Sequence, residues 1–318
     1  MLFTRRETLA LFSAAAAQSP LLEQWHAIAR EMDGPVGAAA LNLTTGEMVS
    51  LRGNEPFPLA SVCKLPIAIA ILAMVDEGKL SLDQKIDIPV YDIFPGVSPI
   101  ADRWGNQKQF PLIEMVELMV AKSDNTAVQT LFRLCGGEVG MAARFRQWKV
   151  KGMRLDRSER QCTLESVGVT DIPPVASWTP GMGAELIAKV PADAQLAAFR
   201  RFIKDPRDTA TPLSAVDLLG KLFRNEALSK ATTTRLLQIL ESTNTGPGRI
   251  KGMLPAGTIV AHKTGTTTTV GGLNGATNDV GIVSGKFALA VFVSASMHDQ
   301  DAREKVIAKI ARATFDAW

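Results

Sequence analysis

The sequence predicts an α/β layer built from both ends of the chain, with an antiparallel sheet flanked by helices, and an all-α domain inserted between the two halves. Short β-branched or alternating apolar segments cluster near the two ends, whereas from about residue 62 to Arg224 the apolar spacing is mostly helical. Size agrees, since 318 residues of which 46% are hydrophobic can bury one large core or two coupled ones. The expected division is 21–60 with 225–318 for the α/β part and 61–224 for the helical part.

Residues 1–20 carry Arg5-Arg6 and then an Ala-rich apolar run from Leu9 to Ala17. This reads as an export signal of twin-arginine type, cleaved near Ala17 to Gln18, which would place the protein in the periplasm or outside the cell. An amphipathic helix is the alternative, but the run has no helical apolar period. Helical spacing begins at 21–32 through Leu22, Trp25, Ile28, Ala29 and Met32, and Asp33-Gly34-Pro35 stops it. Segments 36–43 and 47–51 read as a hairpin across Thr44-Thr45-Gly46, and 62–77 as an apolar helix. Irregular stretches are expected at 89–106 and 157–174, with an amphipathic run at 193–203. Strands return at 258–264, 278–283 and 286–294, and an amphipathic helix at 299–318 closes the chain.

A net charge of +3 is too mild for a nucleic-acid partner. No later stretch has the roughly 20 apolar residues of a membrane span. Cys63, Cys135 and Cys162 make an odd number for an exported protein, so at least one thiol should be free. His26, His262 and His298 are the only histidines, and no Cys/His spacing suggests a metal. No cofactor is expected, and a monomer is the default.

Three strings carry the chemistry: Ser61-Val62-Cys63-Lys64, Ser123-Asp124-Asn125 and Lys263-Thr264-Gly265. Singly each is weak, because a Ser and a Lys three apart should occur about once by chance in such a chain. In this order they form the S-x-x-K, S-D-N and K-T-G set of active-site serine enzymes that act on β-lactams or peptidoglycan peptides. Ser61 would open a buried helix, with Lys64 one turn on and within reach of its hydroxyl as an activating amine. The competing reading is a helix N-cap with a solvated lysine. Cys63 lies inside this turn as a small buried packing residue.

Ser123 can relay a proton to a leaving nitrogen and Asn125 can hold a substrate amide, while Asp124 braces their loop. The strand through Lys263, Thr264, Gly265 and Thr266 can bind an extended acylamino substrate along its edge. The amides of Ser61 and Thr266 would form the oxyanion hole. Lys263 and Thr264 would meet a substrate carboxylate, and Arg249 is a further candidate because its planar fork suits that group. A surface arginine is its alternative role.

On these motifs the chain resembles the class A serine β-lactamases, whose fold is shared with penicillin-binding proteins. Arg154-Leu155-Asp156-Arg157-Ser158-Glu159 is similar to the start of that family's Ω loop, and Asp205-Pro206-Arg207-Asp208-Thr209 with Pro212 to its end. Thr245-Gly246, the stretch from Arg249 to Leu254 and that from Ala261 to Thr266 look like the extended-spectrum subgroup with a histidine before K-T-G. The resemblance implies a small β-lactam substrate, acylation at Ser61, and deacylation by a water that Glu159 activates.

Departures accompany it. About a dozen residues separate the family's glutamate from the closing Arg-Asp, whereas an insertion at about 160–205 lengthens that stretch here, with one or two extra helices expected. Thr163 stands where the family's asparagine is usual, Val97 where it has an aromatic residue, and the family's buried disulfide has no matching cysteines. Glu159 lies among Arg154, Arg157 and Arg160, which also suits an ion-paired loop residue, and Glu165 is a competing base. A slowly deacylating penicillin-binding protein or D,D-peptidase, a β-lactam sensor, and a serine esterase or glutaminase are the other readings.

Overall fold

The computed structural model of the protein describes residues 19–94 and 96–318, so nearly all of the expected export signal at 1–20 lies outside the described residues. The main sheet runs Met48–Leu51, Val36–Asn42, Phe287–Ser296, Leu273–Val283, Val260–Thr266, every neighbour antiparallel. Thr269–Val270 folds back onto Leu273–Val283. Strands from the two ends of the chain thus pair directly, Val36 opposite Val293 and Asn42 opposite Phe287.

Side-chain alternation divides this sheet between two cores. Val36, Ala38, Ala40, Leu289, Val291 and Val293 pack with helices Pro20–Ala29 and Gln300–Ala317. Ala39, Leu41, Ala288, Ala290 and Phe292 face the larger core with the helical block. Both faces are covered, so the central strands read as continuous apolar runs rather than as an alternation. Helix Lys64–Asp76 is apolar on every side, and its residues from Lys64 to Ala73 are all buried. It packs against Leu112–Ala121 and Asn125–Leu134.

Several expected boundaries move. A 3-10 turn, Ala60–Cys63, precedes Lys64–Asp76, so Ser61 sits in that turn and not on the α-helix itself. The stretch 157–174 is not irregular throughout, because Ser158 caps a helix, Glu159–Ser166, by accepting from the Gln161 amide. Within 89–106, Ser98 caps a short helix, Pro99–Arg103. The strand expected at 278–283 begins at Leu273, since Asn274, Ala276 and Thr277 pair in the sheet even though Asn and Ala are poor strand formers. The K-T-G strand runs to Thr266.

The insertion folds on its own small core. Leu164, Val169 and Trp178 are buried among Ile172, Met182, Leu186 and Val190, and the Arg160 guanidinium lies 4.3 Å over the Trp178 ring. Two inserted helices follow, Met182–Ala188 and Ala192–Phe202. Asp208 pinches the neck of this loop. Its Oδ1 accepts from the amides of Asp156 (2.7 Å) and Arg157 (3.0 Å), its Oδ2 pairs with Arg157 Nε, and its own amide donates to Asp156 Oδ2 at 3.0 Å. The Asp208 carbonyl also accepts from Leu59 N (3.0 Å), and Thr209–Ala210 pairs with Phe57–Pro58. The neck is therefore stitched to the segment leading into Ser61.

Replacing Asp208 by alanine would leave the Asp156 and Arg157 amides without their acceptor, take one of the carboxylates around the buried Arg157 while Glu165 stays, and force a φ of +52° on a residue without a side chain to stabilise it. Asp208→Ala is expected to cost about 1–3 kcal/mol in urea unfolding. Asp208→Asn, which keeps one acceptor and tolerates that φ, should cost less.

Candidate active site

Ser61, Ser123, Asn125, Glu159, Thr264 and Thr266 line one cavity of about 900 Å³. Three elements converge to make it. The Ala60–Cys63 turn presents Ser61, and Asn278 anchors its approach by donating from Nδ2 to the carbonyls of Pro58 (2.8 Å) and Leu59 (3.1 Å). Gly265 lets the edge strand close on this turn. A Cβ there would lie 2.6 Å from the Leu59 carbonyl oxygen and 2.9 Å from the Val62 amide.

Lys64 is fully buried, and its Nζ donates to the Ser123 carbonyl (2.7 Å), Ser123 Oγ (3.1 Å) and Asn125 Oδ1 (2.7 Å). Those three contacts use all three N–H bonds of an ammonium. Lys64 is directed at Ser123 and Asn125, and no hydrogen bond joins it to Ser61 among the described residues. Burial pushes the Lys64 amine below its ordinary range, with Glu159 acting in the opposite direction.

Ser123 adopts a left-handed φ of +60° between two helices. Asp124 holds that conformation, its carboxylate accepting from Ser98 Oγ (2.9 Å), Ala127 N (2.8 Å) and Ile100 N (2.9 Å). The bracing role expected of Asp124 is what the structure gives it. Asn125 donates its amide to the Val97 carbonyl at 2.9 Å, and Val97 itself is exposed on the cavity wall.

Lys263 enters from the sheet, fully buried, with Nζ on Ser123 Oγ (3.2 Å) and on the Thr264 carbonyl (2.9 Å). Burial pushes its amine down to about 7, and the neighbouring Lys64 charge adds to the effect. One hydroxyl, Ser123 Oγ, is thus shared by two buried lysines. Behind them His262 Nδ1 lies 2.9 Å from both Asp279 oxygens, with neither side chain exposed.

Arg249 is not the free carboxylate fork that the sequence suggested. It is buried, with NH1 on the carbonyls of Gly265 (3.1 Å) and Asn278 (2.8 Å), NH2 on Thr266 Oγ1 (2.6 Å) and Nε on Glu304 (3.1 Å). Its donors brace the K-T-G strand, and it also contributes to the cavity lining. Thr245, whose position carried no role in the sequence reading, places its Oγ1 2.6 Å from Thr264 Oγ1 on the cavity wall.

The two candidate bases part company. Glu159, at the first position of its helix, lines the cavity with Thr163 one turn on. Glu165 binds Arg157 (2.8 Å), Gln161 (2.7 Å) and Arg207 (3.0 Å). Burial raises its carboxyl, but these partners outweigh burial and hold it below the usual range. The ion-paired role weighed for Glu159 belongs to Glu165.

Cys63 and Cys162 both reach the cavity wall, so Cys63 is not only a core packing residue. All three thiols are free. Burial, reinforced by Glu159, pushes Cys63 up to about 12, which keeps it a thiol rather than a nucleophilic thiolate. Among the described residues no group of three His, Cys, Asp or Glu side chains is placed to hold a metal. The insertion adds Phe199 and Phe202 to the lining, with no warning in the motifs.

The profile of the β-lactamase enzyme family matches residues 20–318. Extended-spectrum β-lactamase PER-1 of Pseudomonas aeruginosa is 30% identical over 307 residues, which are 94% of this chain and 88% of that one. A crystal structure of a β-lactamase from Chitinophaga pinensis superposes with a TM-score of 0.78 at 34% identity, covering 94% of this chain and 99% of its own. An ancestral class A β-lactamase superposes at 0.74 with 31% identity, covering 94% and 100%.

Close approach at Gly265 sets the separation of the Ser61 turn from the edge strand. Gly265→Ala is expected to slow acylation of Ser61 by about 100-fold, read from the growth of the adduct mass, because even a displacement near 1 Å has that effect. An unchanged rate would show that the contact is not limiting.

Proposed function

The chain belongs to the class A β-lactamase family, and from that premise we propose how its residues divide the hydrolysis of a β-lactam through an acyl-enzyme on serine. The observation that carries the division is the Ser123 hydroxyl, 3.1 Å from Lys64 Nζ and 3.2 Å from Lys263 Nζ, in a cavity shared with Ser61 and Glu159. Ser61 Oγ attacks the lactam carbonyl carbon and loses its proton to a base. The amides of Ser61 and Thr266 hold the developing oxyanion, the C–N bond breaks, and Ser123 protonates the nitrogen. The two lysines resupply Ser123.

Lys64 acts as a base only when one of its three hydrogen bonds gives way, which its burial favours by disfavouring the ammonium. Glu159 then takes a proton from water as the hydroxide adds to the ester carbon, and Ser61 leaves with a proton. Asn125 keeps its Nδ2 for the substrate amide, since its Oδ1 is held by Lys64. Lys263, Thr264 and Thr245 receive the substrate carboxylate at the K-T-G edge, while Arg249 positions Thr266.

Glu159 is what separates this reading from a penicillin-binding protein that stops at the acyl-enzyme. The helical block at 61–224 and the two-ended α/β layer act as the two walls of the cleft. Export to the periplasm or beyond the cell rests on the twin-arginine-type segment. No helix among the described residues is long and apolar enough to cross a membrane. The working unit is a monomer.

With a chromogenic cephalosporin, Ser61→Ala should abolish turnover, and Glu159→Gln should lower it by about 10³-fold while a covalent adduct accumulates in the intact mass. Turnover by Ser61→Ala would overturn the assignment. A persistent adduct on the unmutated protein would instead identify a penicillin-binding protein or sensor. Lys263 attracts a carboxylate only as a cation, and burial pushes its amine down to about 7. Raising the pH from 6 to 8 should therefore raise KM for a carboxylate-bearing substrate, and Lys263→Arg should remove that rise, because a guanidinium stays charged throughout.

A further inference from the structure

A histidine and an aspartate, both fully buried, lie on the sheet face opposite to Lys263. His262 precedes Lys263 on Val260–Thr266, and Asp279 pairs across from Thr264 on Leu273–Val283. Gly281, across from His262, makes room for the ring, since a Cβ there would sit 2.7 Å from the His262 Cβ. We propose that Asp279, held by His262, is a positioning residue for the carboxylate-binding edge: it fixes the corner that carries Arg249 and supplies the negative charge that balances Lys263. The proposal rests on the β-lactam reading above.

Hydrogen bonds decide how much charge the pair holds. His262 Nδ1 lies 2.9 Å from both Asp279 oxygens, and facing a carboxylate it must be the donor. Nε2 is buried and has no partner among the described residues, so a second proton there would make an unpaired, buried N–H. The ring therefore carries one proton, on Nδ1, and the pair keeps the whole negative charge of Asp279. A carboxylate fully out of solvent persists only where cations balance it.

Three cations answer it: Arg249, Lys251 and Lys263. Asp279 Oδ2 accepts from the Ile250 amide at 3.1 Å, at the start of the 3-10 turn Ile250–Met253 and directly after Arg249. The corner so fixed is the one from which Arg249 reaches Gly265, Asn278 and Thr266. Burial lowers the Lys251 amine against Asp279 and Glu241, and its Nζ donates to the Thr243 carbonyl at 3.0 Å. Burial likewise takes the Lys263 amine down to about 7, with Lys64 and Arg249 adding to it and Cys63 and Asp279 acting against it. Other charges nearby are engaged elsewhere. Glu159 and Asp124 act on Lys64, Glu304 holds Arg249, and Arg303 donates to Thr277. On helix Lys230–Glu241, which packs against the same strand, Arg235 pairs with Glu117. Asp279 is the carboxylate that serves Lys263.

The test measures KM between pH 6 and 8 for a cephalosporin and for the methyl ester of its ring carboxylate. Asp279→Asn keeps the side-chain shape and loses the charge, so less of Lys263 is a cation at any given pH. For the carboxylate substrate KM at pH 7 should rise about fivefold, and the rise with pH should set in about 1 lower on the pH scale. The ester should show neither change. In a Lys263→Arg background Asp279→Asn should leave KM where it was, because a guanidinium stays charged throughout. His262→Asn keeps a donor and the Asp279 charge, so it should lower the urea midpoint and leave the pH profile in place. Nitrogen NMR of His262 at pH 7.5 uses the unmutated protein and so does not depend on a variant that folds. Expected there is a neutral ring protonated on Nδ1. The proposal is overturned by an unshifted profile in Asp279→Asn, by an equal shift in His262→Asn or with the ester, or by a ring that carries a proton on Nε2. Hydrolysis of the cephalosporin by the unmutated enzyme in those cases leaves the β-lactam reading standing and removes the role of Asp279 alone. No hydrolysis and no adduct on Ser61 removes both.

Discussion

Two buried ammonium groups converge on one hydroxyl, and much of the architecture exists to keep them there. Lys64 and Lys263 come from a helix and a strand far apart in sequence, yet both reach Ser123 Oγ. Burial lowers both amines, that of Lys263 to about 7 with the neighbouring Lys64 charge adding to the effect, and that of Lys64 below its ordinary range against the opposing pull of Glu159. A proton leaving one amine lowers the cost of keeping the other. Ser123 Oγ is the contact that the two amines share.

Holding that contact requires rigid supports on each side. Asp124 fixes the left-handed Ser123 with three hydrogen bonds, and this buried carboxylate offsets the cost of the backbone conformation. On the sheet side, Arg249 binds two carbonyls and a hydroxyl around the K-T-G strand, while Glu304 balances its charge. Each nitrogen of the guanidinium is thereby engaged by the protein itself. Asn278, one of several buried polar residues on its strand, ties the turn before Ser61 to the same sheet.

How far this was legible in the sequence depends on the range of each interaction. Motif residues could be read because S-x-x-K, S-D-N and K-T-G are local strings, and the long apolar helix behind Lys64 needs only its own composition. Strand ends were misjudged at Leu273 and Thr266, where pairing partners and not local propensity decide. Arg249 was misread because a guanidinium that braces carbonyls and one that receives a carboxylate look alike until the neighbours are known. Asp208 drew notice only as part of a loop ending, while its role as the shared acceptor for Asp156 and Arg157 spans some fifty residues of sequence. Buried polar residues in apolar surroundings, Asn278 above all, were the unused signal.

The insertion is better regarded as part of the catalytic apparatus than as a decoration on it. Lengthening a loop costs little, about 0.6 kcal/mol of closure entropy for each doubling, and the Asp208 neck already fixes its ends. Burying Leu164, Val169 and Trp178 in a separate small core returns more than that, at about 1.5–3 kcal/mol for a large apolar side chain. Leu164 is the link. It lies on the same short helix as Glu159, so the inserted residues pack one side of that helix while Thr163 and Ser166 face the cavity on the other. A helix of this length is not stable alone, and its orientation must come from what it packs on. Any sequence change that loosens the insertion core should therefore act on deacylation before it acts on acylation, because Glu159 moves with Leu164 whereas Ser61, Lys64 and Ser123 are anchored in the main core.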